Sequence, residues 1–279
     1  MFYVIQEDVF KEHHYKLLLN IMNRFKFEHD VVKYIPFVND MFKWYDSSDQ
    51  SKEHELIRYE IDRKDVFCFG SVNMAKIALE RDWKPGSMLN DNHDYEVYAP
   101  RYGYENMLNG DGVVINFTDP IPFEDDYFFV RPTMDTKIFT GTVFSKNAWA
   151  DYSKIVKVNE AVNIITEETK ILVSPAKNIQ QEVRCWVVGG KVITASSYKI
   201  GSRVVYTNYD DELFFVNFAQ SMVDKYQPAE AFVIDIALAN DKLKVIEINN
   251  INSAGFYHCD MNKLIGGLED YFNPIYSQK

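Results

Sequence analysis

Apolar positions in the first third of the chain change from strand spacing to helical spacing and back, a pattern typical of a small α/β unit. The pattern predicts strands at residues 2–7, 29–37 and 65–70, and helices at residues 9–25 and 72–83. Pro85-Gly86 ends the second helix. Because strands and helices alternate here, we expect some of the strands to pair in parallel.

From about residue 126 short apolar strands predominate, which predicts a strand-rich α+β unit. The predicted strands are residues 127–132, 170–175, 181–188, 191–199, 229–239 and 242–250, with helices at 146–155 and 217–226. Ser145 is the residue type that caps a helix N-terminus, so we expect it to begin the first of these helices.

The segment 181–199 predicts a β-hairpin around Gly189-Gly190, because a two-residue turn needs positive φ. A regular register pairs Trp186 with Ile193 and Arg184 with Ala195. The predicted polar face carries Glu182, Arg184, Ser197 and Lys199, opposite a face of Cys185, Val187, Val192 and Thr194. Basic groups beside a carboxylate are typical of a phosphate site, although a solvated sheet face is the alternative.

The segment 232–249 predicts a second hairpin with stronger chemistry. Its apolar faces meet only in a register that sets Asp235 opposite or nearly opposite Glu247, because a one-residue slip would bury Glu247 against isoleucines. Adjacent carboxylates repel unless water or a cation intervenes. Asp, Glu and the Asn249 carbonyl are hard oxygen ligands suited to Mg²⁺, and a metal-free polar strand face is the alternative.

Composition narrows the partners. The formal net charge is −11 and no run of Lys and Arg occurs, which disfavours nucleic acid and leaves a local basic groove, such as an ATP site, as an alternative. The three widely spaced cysteines indicate reduced core residues. The chain begins without a secretory pattern and has no apolar run of ~20 residues, so we expect a cytoplasmic protein that does not enter the membrane.

The order of VRP, KILVSP, EVRCWVVGGKV, VIDIA and VIEINN resembles the ATP-grasp superfamily of carboxylate ligases. VFCFGSVNMAKIALERDWKPG is similar to the region before the ATP-binding lobes in a phage and bacterial ATP-grasp subgroup. The resemblance implies an ATP-grasp fold of mixed α/β and α+β class. It implies a small N-terminal α/β domain over residues 1–120, a small lobe over 121–180, and a large lobe with the metal site over 181–279.

The resemblance also implies roles for individual residues. Arg131 stands where many relatives have a phosphate-binding Lys, and Lys137 lies in the adjoining loop, which has the single glycine Gly141. The implied hinge at the adenine is Leu172, Val173 and Ser174, and Glu182 is implied at the ribose. Arg184 and Lys199 would stabilise the transferring phosphate, and Asp235, Glu247 and Asn249 would hold one or two Mg²⁺.

The implied activity is ATP- and Mg²⁺-dependent activation of a carboxylate as an acyl phosphate, followed by coupling to an amine. The carboxylate would be a small molecule or a peptide. Open alternatives are a phosphotransferase, a nucleic-acid-end ligase and a non-catalytic nucleotide-binding module. The identity of both substrates and the oligomeric state, a homodimer among the choices, stay open.

Overall fold

The computed structural model describes residues 1–44, 55–134, 138–158, 165–208 and 213–276, which form three sheets with helices against them. The strands are β1 (Phe2–Gln6), β2 (His29–Ile35), β3 (Asp40–Trp44), β4 (Leu56–Arg58), β5 (Val66–Phe69), β6 (Val113–Asn116), β7 (Tyr127–Pro132), β8 (Thr142–Ser145), β9 (Lys170–Pro175), β10 (Gln181–Val188), β11 (Lys191–Ile200), β12 (Arg203–Asn208), β13 (Ala231–Ala239) and β14 (Lys242–Asn250). The helices are α1 (Glu12–Phe25), α2 (Val72–Glu80), α3 (Tyr95–Tyr102), α4 (Lys146–Val158), α5 (Leu213–Lys225) and α6 (Met261–Tyr276).

The first sheet has the order β4-β3-β2-β1-β5, and β1 pairs in parallel with both β2 and β5. The expected parallel pairing is therefore confirmed. Helix α1 connects β1 to β2 and buries Leu18, Ile21 and Met22, which share one face at helical spacing. The antiparallel pairing of β3 and β4 along the other edge was not predicted.

The middle sheet has the order β6-β9-β7-β8 and is antiparallel between neighbours. Helix α4 covers it through Trp149, which packs with Phe117 and Phe128. Ser145 Oγ accepts a hydrogen bond from the backbone N–H of Ala148 at 3.2 Å, which confirms the predicted cap. Because β6 pairs with this sheet, we propose that the small lobe begins before residue 113, earlier than the predicted boundary at 121.

The third sheet, β12-β11-β10-β13-β14, is covered by α5 on one face and by α6 on the other. Odd-numbered residues of β10 such as Cys185 and Val187 pack in the cluster of α5. Trp186 and Val188 pack with α6 and with the aromatic residues of β1 and β5 in one continuous core. None of the helices in the described ranges has the length and apolarity that a bilayer crossing requires.

The two hairpins differ in how well their register was predicted. In β13–β14, Asp235 pairs with Glu247, so the predicted register is confirmed there. In β10–β11, Gly189 and Gly190 have φ of 56° and 77°, as the predicted turn requires. The pairing beyond it was predicted wrongly, because a bulge after Trp186 sets this residue opposite Thr194 and Arg184 opposite Ser196.

Candidate functional site

A cleft of ≈ 720 Å³ lies between the middle sheet and the third sheet. That volume is within the range of roughly 300–1,000 Å³ that small-molecule sites occupy. The middle sheet contributes β7, β8 and the loop between them, and the third sheet contributes β10, β11 and β14. The lining residues are Leu108, Asn109, Phe129, Thr140, Gly141, Val143, Lys177, Asn178, Ile179, Glu182, Tyr198, Lys199, Gly201, Ser202, Ile246 and Glu247.

One end of the cleft holds a group of acidic and amide side chains on β13 and β14. Glu247 lines the cleft, and Asn249 lines a smaller adjoining cavity that Glu247 also reaches. Asn249 Nδ2 donates to Glu247 Oε1 at 2.9 Å and lies 3.4 Å from Asp235 Oδ2. The structure therefore brings together the three residues predicted to hold a metal ion.

Asp235 is fully engaged by Arg184. The guanidinium Nε and Nη2 donate to Asp235 Oδ1 and Oδ2 at 2.8 and 2.7 Å, and the two side chains are 2% and 8% exposed. Such two-point pairing holds both planes in one orientation. Burial works against the guanidinium charge, yet Asp235 holds the pKa of Arg184 above its ordinary value. Arg184 therefore stays charged and faces Asp235 in this state.

Glu247 has its own cationic partner, Arg131 of β7. Arg131 Nη1 lies 2.7 Å from Glu247 Oε2, and the Arg131 side chain is 6% exposed. This ion pair crosses from the middle sheet to the third sheet. It lies next to Thr140 and Gly141, which line both the cleft and the adjoining cavity. Arg131 thus lies where a cation can meet both a carboxylate and a bound phosphate.

Lys199 and Glu182 form the third charged pair of the site. Lys199 Nζ donates to Glu182 Oε1 at 2.7 Å, and both residues line the cleft. The pair follows from the strand register, which sets Glu182 directly opposite Lys199. The next residue along β11, Tyr198, also lines the cleft, and its ring stacks on Tyr257 with centroids 4.7 Å apart.

The residues predicted as the adenine hinge lie away from the cleft. Leu172 and Val173 pack in apolar clusters, and Ser174 Oγ donates to Asn109 Oδ1 at 2.9 Å. The cleft is lined instead by the segment that follows β9, which contains Lys177, Asn178 and Ile179. Lys137 lies outside the described residues.

Two groups of cleft residues were missed by reasoning from sequence. Lys177–Ile179 follows the predicted strand directly, so its position after β9 was a usable signal. Ile246 was assigned to the apolar face, but a bulge between Asp235 and Ile236 moves Val245 into the core and leaves Ile246 beside the cleft. An irregularity of this kind has no signal in the hydrophobic pattern.

The donor set fits a magnesium ion that is shared with a nucleotide. Mg²⁺ in such sites commonly takes one or two carboxylates and completes its octahedron with phosphates and water. Glu247 and Asn249 offer oxygen atoms next to the cleft, since the Asn249 amide can present either its oxygen or its nitrogen. Within the described residues no group of three His, Cys, Asp or Glu side chains could hold a metal ion alone.

Solved structures with this arrangement of sheets define the class as the ATP-grasp fold. The chain resembles the D-alanine–D-alanine ligase from Coxiella burnetii over 99% of its length and 94% of the ligase, with a TM-score of 0.63 and 14% identity. It resembles D-cycloserine synthetase DcsG over 97% and 99% (TM-score 0.59, 12% identity). It also resembles the D-alanine–D-alanine ligase from Bacillus anthracis complexed with ATP over 99% and 98% (TM-score 0.58, 11% identity).

The family follows from the sequence itself. Residues 39–268 match the model of an ATP-grasp domain, the third family of its clade, and the chain belongs to that ATP-grasp family. Among curated protein sequences none matches the chain significantly.

Proposed function

We propose that the protein is an ATP- and Mg²⁺-dependent ligase that activates a carboxylate as an acyl phosphate and couples it to an amine. One observation carries the proposal. A cleft of ≈ 720 Å³ between two sheets ends at Glu247 and Asn249, and Lys199 lies on its wall. A nucleotide in the cleft would place its phosphates beside both the metal donors and the cations.

The cleft provides distinct surroundings for the two ends of ATP. Leu108, Ile179 and Ile246 give apolar contact for the base, and the backbone of residues 177–179 gives it polar partners. At the opposite end, Arg131 and Lys199 supply positive charge for the phosphates. We assign the adenine hinge to residues 177–179, and we retain Glu182 as the ribose contact.

Arg184 and Lys199 act on the transferring group. Attack of a carboxylate oxygen on the γ-phosphorus breaks the bond to the bridging oxygen, and ADP leaves. Fixed cations stabilise the charge that develops on the phosphoryl oxygens. Lys199 is held by Glu182, and Arg184 by Asp235, so both cations are positioned before the substrates arrive.

Magnesium, held by Glu247 and Asn249, would neutralise phosphate charge when bound. Asp235 then has a positioning role through Arg184, and becomes a metal ligand only where Arg184 turns to the phosphate. Asp235 therefore supports the site through a different contact from Glu247.

The test is hydroxamate formation from ATP, Mg²⁺, a panel of carboxylates and hydroxylamine. Hydroxylamine replaces the unknown acceptor and traps an acyl phosphate, so stoichiometric ADP, phosphate and hydroxamate support the proposal. AMP as the product would indicate adenylate chemistry, as a nucleic-acid-end ligase uses. MgATP binding without turnover on any carboxylate would indicate a nucleotide-binding module and refute the ligase.

A further inference from the structure

A second cavity of ≈ 360 Å³ lies next to the cleft, between the start of the chain and the loop that follows β14. Tyr198 and Lys199 line both spaces, so they form the partition between them. The remaining lining residues are Val9, Phe10, Lys11, His14, Val204, Tyr206, Ser253, Gly255 and Tyr257. A group in the second cavity would meet a nucleotide phosphate at Lys199.

The charges around the second cavity favour an anion. Among its described lining residues none is Asp or Glu, whereas Lys11 and Lys199 are both present. A third cation, Arg184, lies behind the wall, with its guanidinium 4.7 Å from the ring centre of Tyr257. An ammonium group would lose its water here without gaining a counter-ion, which is unfavourable.

Polar groups on the wall are neutral and suited to hydrogen bonds. Burial, together with the neighbouring His13, lowers the pKa of His14 to about 4, so its imidazole is uncharged near neutral pH. Ser253 Oγ is buried and has no hydrogen-bond partner among the described residues. Buried hydroxyls normally have a partner, which indicates that a ligand supplies one.

The walls are aromatic and rigid. Tyr257 stacks between Tyr198 and Tyr206, with ring centres 4.7 and 5.5 Å away. Its φ of 46° is uncommon for a residue other than glycine, and such conformations cluster at ligand sites. On the other wall, Phe10 stacks on Phe256 at 4.6 Å. Flat, preformed walls of this kind fit a flat apolar ligand.

The size of the cavity limits that ligand. Its volume is near the lower end of the roughly 300–1,000 Å³ that small-molecule sites span. A single ring with a short acid side chain fits, and a folded macromolecule does not. Val204, which is 65% exposed, stands at the edge of the cavity on β12.

Resting on the ligase function proposed above, we infer that this second cavity binds the carboxylate substrate. The substrate class is a small monocarboxylate with a flat apolar body and no ammonium group beside the carboxylate. Its oxygen attacks the γ-phosphorus across Lys199, and ADP leaves with the bridging oxygen. The amine nitrogen then attacks the acyl carbon, the C–O bond to phosphate breaks, and inorganic phosphate and a proton are released.

Three related acids test the inference in the hydroxamate assay. 3-Phenylpropionate has the ring and the carboxylate, phenylalanine adds only the ammonium group, and propionate lacks only the ring. We expect kcat/KM for 3-phenylpropionate to exceed that for either hand of phenylalanine, and for propionate, by about tenfold or more. Equal or better use of phenylalanine or propionate would overturn the substrate class.

A blocking variant tests the place of binding. Val204→Trp should fill the cavity edge and lower kcat/KM for 3-phenylpropionate by about tenfold, while the Kd of MgATP stays within about twofold of the parent. Val38→Trp makes the same change on an exposed valine in the β2–β3 turn, remote from both cavities, and should behave as the parent. Unchanged turnover by Val204→Trp would overturn the assignment of the cavity.

Failure of the proposed function gives a different result. If no acid yields hydroxamate, the ligase is refuted, and calorimetric titration of 3-phenylpropionate into the protein with MgADP still reads the cavity. Binding that Val204→Trp removes, and that phenylalanine does not show, supports the ligand class. Absence of such binding overturns it.

Discussion

Replacement of Asp235 by Asn separates a buried ion pair from a metal ligand. The change leaves the Arg184 guanidinium, whose side chain is 8% exposed, without a charged partner, and both hydrogen bonds at 2.7–2.8 Å are altered. Removing one partner of a buried pair costs about 3–5 kcal/mol, because the remaining charge is left uncompensated. Since Asn keeps one acceptor oxygen, we expect the lower end of that range.

Urea unfolding followed by tryptophan fluorescence measures the loss. With a slope of about 3 kcal/mol/M, a loss of about 3 kcal/mol lowers the urea midpoint by roughly 1 M. Glu96→Gln is the matched control, because Glu96 pairs with Lys170 at 2.6 Å while both side chains are about half exposed. Exposed pairs contribute only about 0–1 kcal/mol, so the control should shift the midpoint little.

A double-mutant cycle completes the test. Arg184→Met with Asp235→Asn removes both charges, and its cost should fall below the sum of the single changes by about 1.5 kcal/mol or more. A midpoint for Asp235→Asn within about 0.3 M of the parent, or strictly additive costs, would refute the argument that this pair is a coupled unit.

Three further predictions address other parts of the site. Glu247→Gln should raise the Mg²⁺ concentration needed for half-maximal ATP binding by about tenfold or more, whereas Glu230→Gln, remote from the cleft, should not; an unchanged Mg²⁺ titration would contradict the ligand assignment. The pKa of His14 is about 4 when folded and about 6.5 when unfolded, so its stabilising effect is complete above pH 6.5 and is lost as the pH falls toward 4. Between pH 7 and pH 5 the parent should lose about 1–2 kcal/mol more unfolding free energy than His14→Asn, and equal losses would refute this. Asn252→Ala should cost about 3 kcal/mol, because Asn252 bonds to Cys68 O, Gly86 O and Met88 N at 2.5, 3.2 and 2.7 Å; Asn262→Ala on the exposed side of α6 is its control, and a similar small loss in both would contradict it.

The strand pattern was predictable where a shift of one residue would have been costly. Asp235 and Glu247 lie opposite each other because the slipped register would bury a carboxylate among isoleucines. The same pattern said nothing about the bulge after Trp186, which changes the partner of Arg184 from Ala195 to Ser196. Bulges depend on how the whole sheet twists and packs, so a local pattern does not record them.

Charge pairing was the larger surprise. Arg184 was predicted to face phosphate and Asp235 to face a metal ion, and the structure places them against each other. Nothing in the spacing of residues 184 and 235 along the chain indicates that β10 and β13 are neighbours; only the assembled sheet does. Helix α6 was missed for a related reason, because two glycines and a proline interrupt its otherwise helical sequence.

The division of the apolar core has a consequence for how the molecule comes apart. Tyr3, Ile5, Phe67 and Phe69 share one cluster with Trp186, Leu264 and Phe272, so both ends of the chain depend on the same packing. The middle sheet has its own cluster around Phe128 and Trp149. Amide exchange should therefore show β1, β5 and α6 opening together at the highest free energy, while β7 and β8 open separately and at lower cost.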